Sequence, residues 1–272
     1  MKSFIVRALT GIVFVGTLLA AMLYNNISFS ILFAIVTGLA VNEFCNIIHE
    51  YKKTTFSTLL SVLGGVYLFF IFFAVTNLQV TDVTIISLPY IFLIVYMFVR
   101  ELYRTEGGAL DNFAYFALSQ VYAALPFAML NITATFGGEY NYILPLAIFI
   151  FLWSNDSGAY CIGCLFGKHK MFERISPKKT WEGFAGGAAV ALIAGYVMSL
   201  YFDILNTWQW MVMAALVVAA GTLGDLIESC IKREAKIKDS GNILPGHGGI
   251  LDRFDSTMLS VPVIVIFLSL IG

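Results

Sequence analysis

Two stretches near the C-terminal end carry most of the residues able to do chemistry. GDLIESCIKR, residues 224–233, places Asp225, Glu228 and Lys232 at i, i+3 and i+7, one face of a helix. LPGHGGILDRFDS, residues 244–256, places Asp252 and Asp255 at i, i+3, again on one face, ahead of the apolar run VPVIVIFLSLIG. A third stretch, SNDSGAY at residues 154–160, sets Asn155 and Asp156 inside another apolar run. A carboxylate in the bilayer costs at least ~2.5–3.5 kcal/mol on insertion scales, so each of these needs a partner or a purpose. Together Asp156, Asp225, Glu228, Asp252 and Asp255 would make a site of hard oxygen donors, the kind that suits Mg²⁺ or Mn²⁺. No HxxxH or paired CxxC points to zinc. Simple pairing competes with this reading. Glu228 and Lys232 stand at i, i+4 and can satisfy each other. Asp225 and Asp255 have no cation at hand to justify their depth other than a bound ion. Glu43, in a different apolar run, reads as a hydrogen bond to a neighbouring helix.

Positive charge for anionic ligands comes from ISPKKTWEGFAGG, residues 175–187, and from the region around GHGG. Ser176 is expected to N-cap a helix with Pro177 at its first position, which puts Lys178 and Lys179 where a phosphate is welcome. His247 stands among glycines that let backbone N–H groups approach an anion. His49 and His169 read as interfacial loop residues. Gly183, Gly187, Ala191 and Gly195 form a small-residue stripe, read as helix packing.

The elements that must hold these groups are membrane spans. Of 272 residues, 59% are hydrophobic and 12% charged, against about 25% charged in a soluble domain. A net charge of −1 says nothing about partners. About nine spans of roughly 20 residues fit, near 4–24, 28–48, 57–77, 83–103, 111–134, 141–166, 183–202, 208–231 and 252–271. The first is too long for a signal-peptide core and has no convincing cleavage site. With nine spans all sixteen Lys and Arg fall on the side of the N-terminus, which the positive-inside rule places in the cytosol. Asp156 then lies about ten residues before its cytosolic end, roughly 15 Å deep. All the carboxylates approach from that side, with loops near 167–182 and 232–251. The four cysteines sit in or beside apolar runs and suggest no disulfides. Residues 1–140 read as a scaffold of about five spans, and 141–272 as a region of about four spans carrying the chemistry.

SCIKREAKIKDSGNILPGHGGILDRFD, residues 229–255, resembles the signature of the phosphatidate cytidylyltransferases, the CDP-diacylglycerol synthases. Ser229, Lys232, Arg233, Lys238, Asp239, Gly241, Pro245, His247, Gly248, Gly249, Asp252, Arg253 and Asp255 stand where that signature requires them. SPKKTWEG and NDSGAY also look like segments of that family. The resemblance is strong in the C-terminal half and limited to several spans in the first 140 residues. It implies an all-helical membrane fold, a homodimer, and the reaction of CTP with phosphatidate to give CDP-diacylglycerol and pyrophosphate with a divalent metal, Mg²⁺ or Mn²⁺. A second monovalent or divalent cation fits beside it. On that footing Asp225, Asp252 and Asp255 are expected to hold the metal, with Asp156 a fourth. Lys178, Lys179, Lys232, Arg233, Lys238 and Arg253 are expected to bind phosphates, and His247, Gly248 and Gly249 to shape the loop against the nucleotide. Asp225, Asp252, Asp255, Lys232 and Arg253 make up the expected catalytic set. The expected setting is a bacterial inner membrane, with the site facing the cytosol and no nucleic-acid partner. Two rivals stay open: a CTP-dependent kinase of polyprenol or phytol type, and a cation transporter.

Overall fold

The computed structural model describes residues 2–105, 107–246 and 248–272, with side chains described from Ala8 onward. It is helical apart from one short hairpin among those residues. Among the described residues, eight helical stretches are long and apolar enough to cross a membrane: Asn26–Lys52, Thr58–Asn77, Val83–Leu102, Ala109–Ala134, Ile143–Phe166, Trp181–Tyr201, Thr207–Glu234 and Leu251–Ile271. The first helix, Lys2–Tyr24, is 23 residues long, and its described part, Ala8–Tyr24, is apolar too. The chain is a polytopic, all-helical integral membrane protein. The four cysteines are all free.

The chain divides into two compact units, Met1–Tyr140 with Ala235–Arg253, and Asn141–Glu234 with Phe254–Gly272. Residues 235–253 therefore pack with the N-terminal half, whereas the division of the sequence at 140 assigns them to the other half.

The first unit is built around α2 (Asn26–Lys52), which follows α1 (Lys2–Tyr24). Asn25 caps α2 through a reciprocal pair with Ser28. Phe29, Phe33, Phe44 and the small residues Ala40 and Cys45 bury one side of α2 almost completely. It packs on α3 (Thr58–Asn77), followed by α4 (Val83–Leu102). Then α5 (Ala109–Leu118), a π-helical turn at Ser119–Ala124 and α6 (Leu125–Ala134) run on without a break. The π turn has a local cause. Pro126 lacks an N–H and would press on the carbonyl four residues back, so the chain takes one extra residue per turn and Leu125 N–H reaches back to Gln120 O. The turn puts the buried Gln120 side chain where its amide donates to Ser61 O at 3.0 Å.

The second unit holds α7 (Ile143–Phe166), strands β1 (Lys170–Phe172) and β2 (Ser176–Thr180), α8 (Trp181–Tyr201), α9 (Thr207–Glu234) and most of α10 (Leu251–Ile271). Between helices in lipid, close packing replaces the hydrophobic effect as the source of association. The stripe Gly183, Gly187, Ala191 and Gly195 is buried along α8, as expected. A methyl group at Gly187 would run into the Asn155 carboxamide on α7, so only glycine lets these backbones meet. At the other seam, a Cβ on Gly224 would come within 2.6 Å of Asp255 O. That approach brings α10 against α9 at the level of the aspartates.

Candidate active site

In the second unit, α7, the start of α8, α9, Ser256 of α10 and the hairpin line a cavity of about 210 Å³. Asn155 and Asp156 reach it from α7, Lys178 and Lys179 from β2, and Asp225 from α9. The hairpin corrects one expectation. Ser176 does not cap a helix; it starts β2 and pairs with Phe172, while Lys170 pairs with Thr180. The N-cap of α8 is Thr180, extended at φ −126, ψ 153, whose Oγ1 accepts from Gly183 N at 3.1 Å. The reason is proximity: the apolar helical run starts at Trp181, and the cap must stand directly before it. Glu182 closes the hairpin from the first turn of α8, accepting from the Lys168 and His169 amides and meeting His169 Nδ1 at 2.5 Å.

The charges in the cavity are matched more closely than the sequence suggests. Lys179 Nζ lies 2.7 Å from Asp225 Oδ2, so Asp225 does have a cation at hand. Its other oxygen accepts from Ser229 Oγ at 3.2 Å. Glu228 and Lys232 form the expected i, i+4 pair at 2.6 Å, largely out of solvent. Arg233 Nε donates to Ile175 O at 3.4 Å and ties the end of α9 to the hairpin. Asp255 is half-buried, accepts from its neighbour Ser256 N at 2.5 Å, and feels Asp225, Asp156 and Lys232 as its nearby charges. Asn155 Oδ1 is buried at the α7–α8 seam, against Gly187, and meets no donor among the described residues.

The remaining site residues lie in the first unit. There Lys238, Asp239, Pro245, Gly248 and Arg253 line a polar cavity of about 530 Å³. An antiparallel bridge joins Leu244 to Gly248, with Leu244 N donating to Gly248 O at 3.0 Å, and Gly248 holds φ +84, a conformation that favours glycine. Thr10 Oγ1 donates to Pro245 O at 3.2 Å. His247 lies outside the described residues. Asp252 is turned into the loop: its Oδ2 accepts from Ser240 N and Gly249 N, both at 2.8 Å, and stands 2.9 Å from Ser240 Oγ. Glu43 does not simply bond a neighbouring helix. It accepts from Ile250 N and Leu251 N, both at 2.9 Å, and from Ser240 Oγ at 3.1 Å. Sequence reasoning gave no role to Thr180 or Ser240, and it placed Ser229 in the family signature without a role, although spacing sets it one turn from Asp225.

Among the described residues, no three His, Cys, Asp or Glu side chains are gathered closely enough to hold an ion alone. Asp156 and Asp225 are the carboxylates that line the cavity, and Mg²⁺ commonly takes one or two carboxylates and completes its shell with water and phosphate oxygens. This cavity of the second unit offers two ammonium groups, hard carboxylates and apolar side chains such as Phe184.

The sequence model for the cytidylyltransferase family matches residues 5–271. A phosphatidate cytidylyltransferase from Staphylococcus haemolyticus is 44% identical over 156 residues, 57% of this chain and 58% of the relative. One from Staphylococcus saprophyticus matches at the same identity and extent. These matches thus span under two thirds of the relatives' length. A phosphatidate cytidylyltransferase from Staphylococcus aureus is 34% identical over 265 residues, 97% of this chain and 98% of the relative.

Proposed function

The chain belongs to the cytidylyltransferase family, and on that premise we propose that it joins CTP to phosphatidate, giving CDP-diacylglycerol and pyrophosphate. A phosphate oxygen of phosphatidate attacks the α-phosphorus of CTP; the bond from that phosphorus to the β-bridging oxygen breaks, and pyrophosphate leaves. The observation that carries the reading is that Lys178, Lys179, Asp156 and Asp225 line one cavity, with Lys179 and Asp225 paired. Two polyanions repel each other, so bringing them together requires fixed positive charge. Phosphatidate already carries an ionised phosphate, so no strong general base is needed.

The residues divide the labour by their chemistry. Lys179, held by Asp225 before substrate arrives, exchanges that carboxylate for a phosphate oxygen without having to be recruited from solvent. Lys178 adds a second ammonium group. Asp156 and Asp225, with Asp255 close by, would hold a divalent cation, which when bound neutralises charge on the departing pyrophosphate. Lys238, Arg253, Gly248 and Gly249 serve the nucleotide from the loop. The lipid enters from the inner leaflet and CTP from the cytosol, in a bacterial inner membrane with the N-terminus cytosolic, and the enzyme works as a homodimer.

Labelling decides the phosphorus that moves. Purified protein is given detergent-dispersed phosphatidate, magnesium, and CTP labelled at the α- or γ-phosphorus. We expect α-label in the lipid, γ-label in pyrophosphate, and no product with polyprenol. Recovery of γ-label in lipid, with CDP accumulating, would replace this reading with a lipid kinase.

A further inference from the structure

Resting on the cytidylyl-transfer reading, we infer that Glu43, a residue of the N-terminal half, is a positioning residue that sets the conformation of the 238–253 loop. Glu43 sits in the apolar helix α2, 3% exposed. A carboxylate so placed needs several donors. All of its described donors come from the loop and from the start of α10. Ile250 N donates to Oε1 and Leu251 N to Oε2, each at 2.9 Å. These are N–H groups at a helix start, where no intrahelical acceptor exists and negative charge is favoured. Ser240 Oγ, ten residues upstream, lies 3.1 Å from the same Oε2. Glu43 thus fastens both ends of the segment that runs from Ser240 through the glycines to α10.

Asp252 extends the clamp. Its Oδ2 receives the amides of Ser240 and Gly249, and the Ser240 hydroxyl stands between the two carboxylates at 3.1 and 2.9 Å. The packing is tight enough to dictate residue type. A Cβ at Gly241 would come within 2.6 Å of Glu43 Oε1, and one at Gly249 would strike both Ser240 Oγ and the Glu43 carboxylate. Glu43 does not line the polar cavity that holds Lys238, Asp239 and Arg253. It acts through them, by holding the backbone on which they stand.

The test uses the full-length enzyme in detergent. Glu43→Gln keeps the size but turns an N–H toward backbone N–H groups; Glu43→Asp keeps the charge on a shorter arm; Ser240→Ala removes only the bridging hydroxyl. Two readouts are taken per folded molecule: kcat and KM for CTP, and the rate of tryptic cleavage at the exposed Lys236 and Lys238. Misplacement of a binding loop by about 1 Å can cost on the order of 100-fold in rate. We expect Glu43→Gln to lose about that much in kcat/KM and to be cut at least ~10-fold faster, with Glu43→Asp recovering part of both. Ser240→Ala should move both readouts in the same direction by a smaller factor, and it serves if Glu43→Gln does not insert. Variants that are less abundant but show wild-type kcat, KM and cleavage would reduce Glu43 to a packing role and overturn the inference. A wild type that transfers no cytidylyl group would defeat the proposed reaction instead, and the cleavage rates would still judge Glu43.

Discussion

At the scale of single residues, the Lys179–Asp225 contact separates stability from activity. Both side chains keep about a quarter to a third of their surface in solvent, 26% and 30%, so screening leaves the pair worth at most about 1 kcal/mol to the fold. Asp225→Asn should therefore insert and melt near wild type, as followed by thermal unfolding in detergent. Its turnover should fall on the order of 100-fold or more, because the lost charge is one the reaction uses. Lys179→Ala should raise KM more than it lowers kcat, if Lys179 grips substrate equally before and during reaction. Near wild-type turnover of Asp225→Asn across a magnesium titration would remove it from the site. Asp225 itself was legible in the sequence, since a carboxylate in an apolar run demands a reason. Its partner was not: Lys179 is 46 positions away in the chain, and nothing local to either residue encodes that distance.

At the scale of elements, the hairpin and the α7–α8 seam do the placing. Thr180 ends β2 and starts α8, so Thr180→Val should cost about 1 kcal/mol through the lost cap and should also loosen Lys178 and Lys179. Gly187→Ala forces a methyl against Asn155, and overpacking of this kind costs about 1–3 kcal/mol. A lower melting temperature together with weakened CTP binding is the expected result; an unchanged protein would mean the seam is looser than its spacing indicates. The spans could be read from the sequence because twenty apolar residues in a row have few other uses. The hairpin could not. Its strands are three and five residues long, only half of their residues are exposed, and they are too short for an alternating pattern to betray them. The serine–proline pair imitates a helix start, and only the position of Trp181 argues otherwise.

At the scale of the molecule, the sidedness of the basic residues is the property to test. With the native cysteines removed, a single cysteine at Ser176 or Asn242 should be labelled only from the cytosol, and one at Asp203 only from outside. Equal labelling of 203 and 242 from one side would remove the basis for a cytosolic site. The change from bare apolar spans to spans with carboxylates near residue 140 is visible in the sequence. The return of 235–253 to the first unit was hidden, because a lone Glu43 in an apolar helix names no partner.

Gly241 and Glu43 also constrain how this sequence can change over time. The three atoms nearest a side chain at 241 all belong to Glu43, whereas 249 is blocked by both Ser240 and Glu43. A larger residue at 241 therefore needs position 43 to move or shorten first, and a shorter side chain at 43 gives up the hydrogen bonds to Ser240, Ile250 and Leu251. The order of steps, as well as their number, constrains both positions.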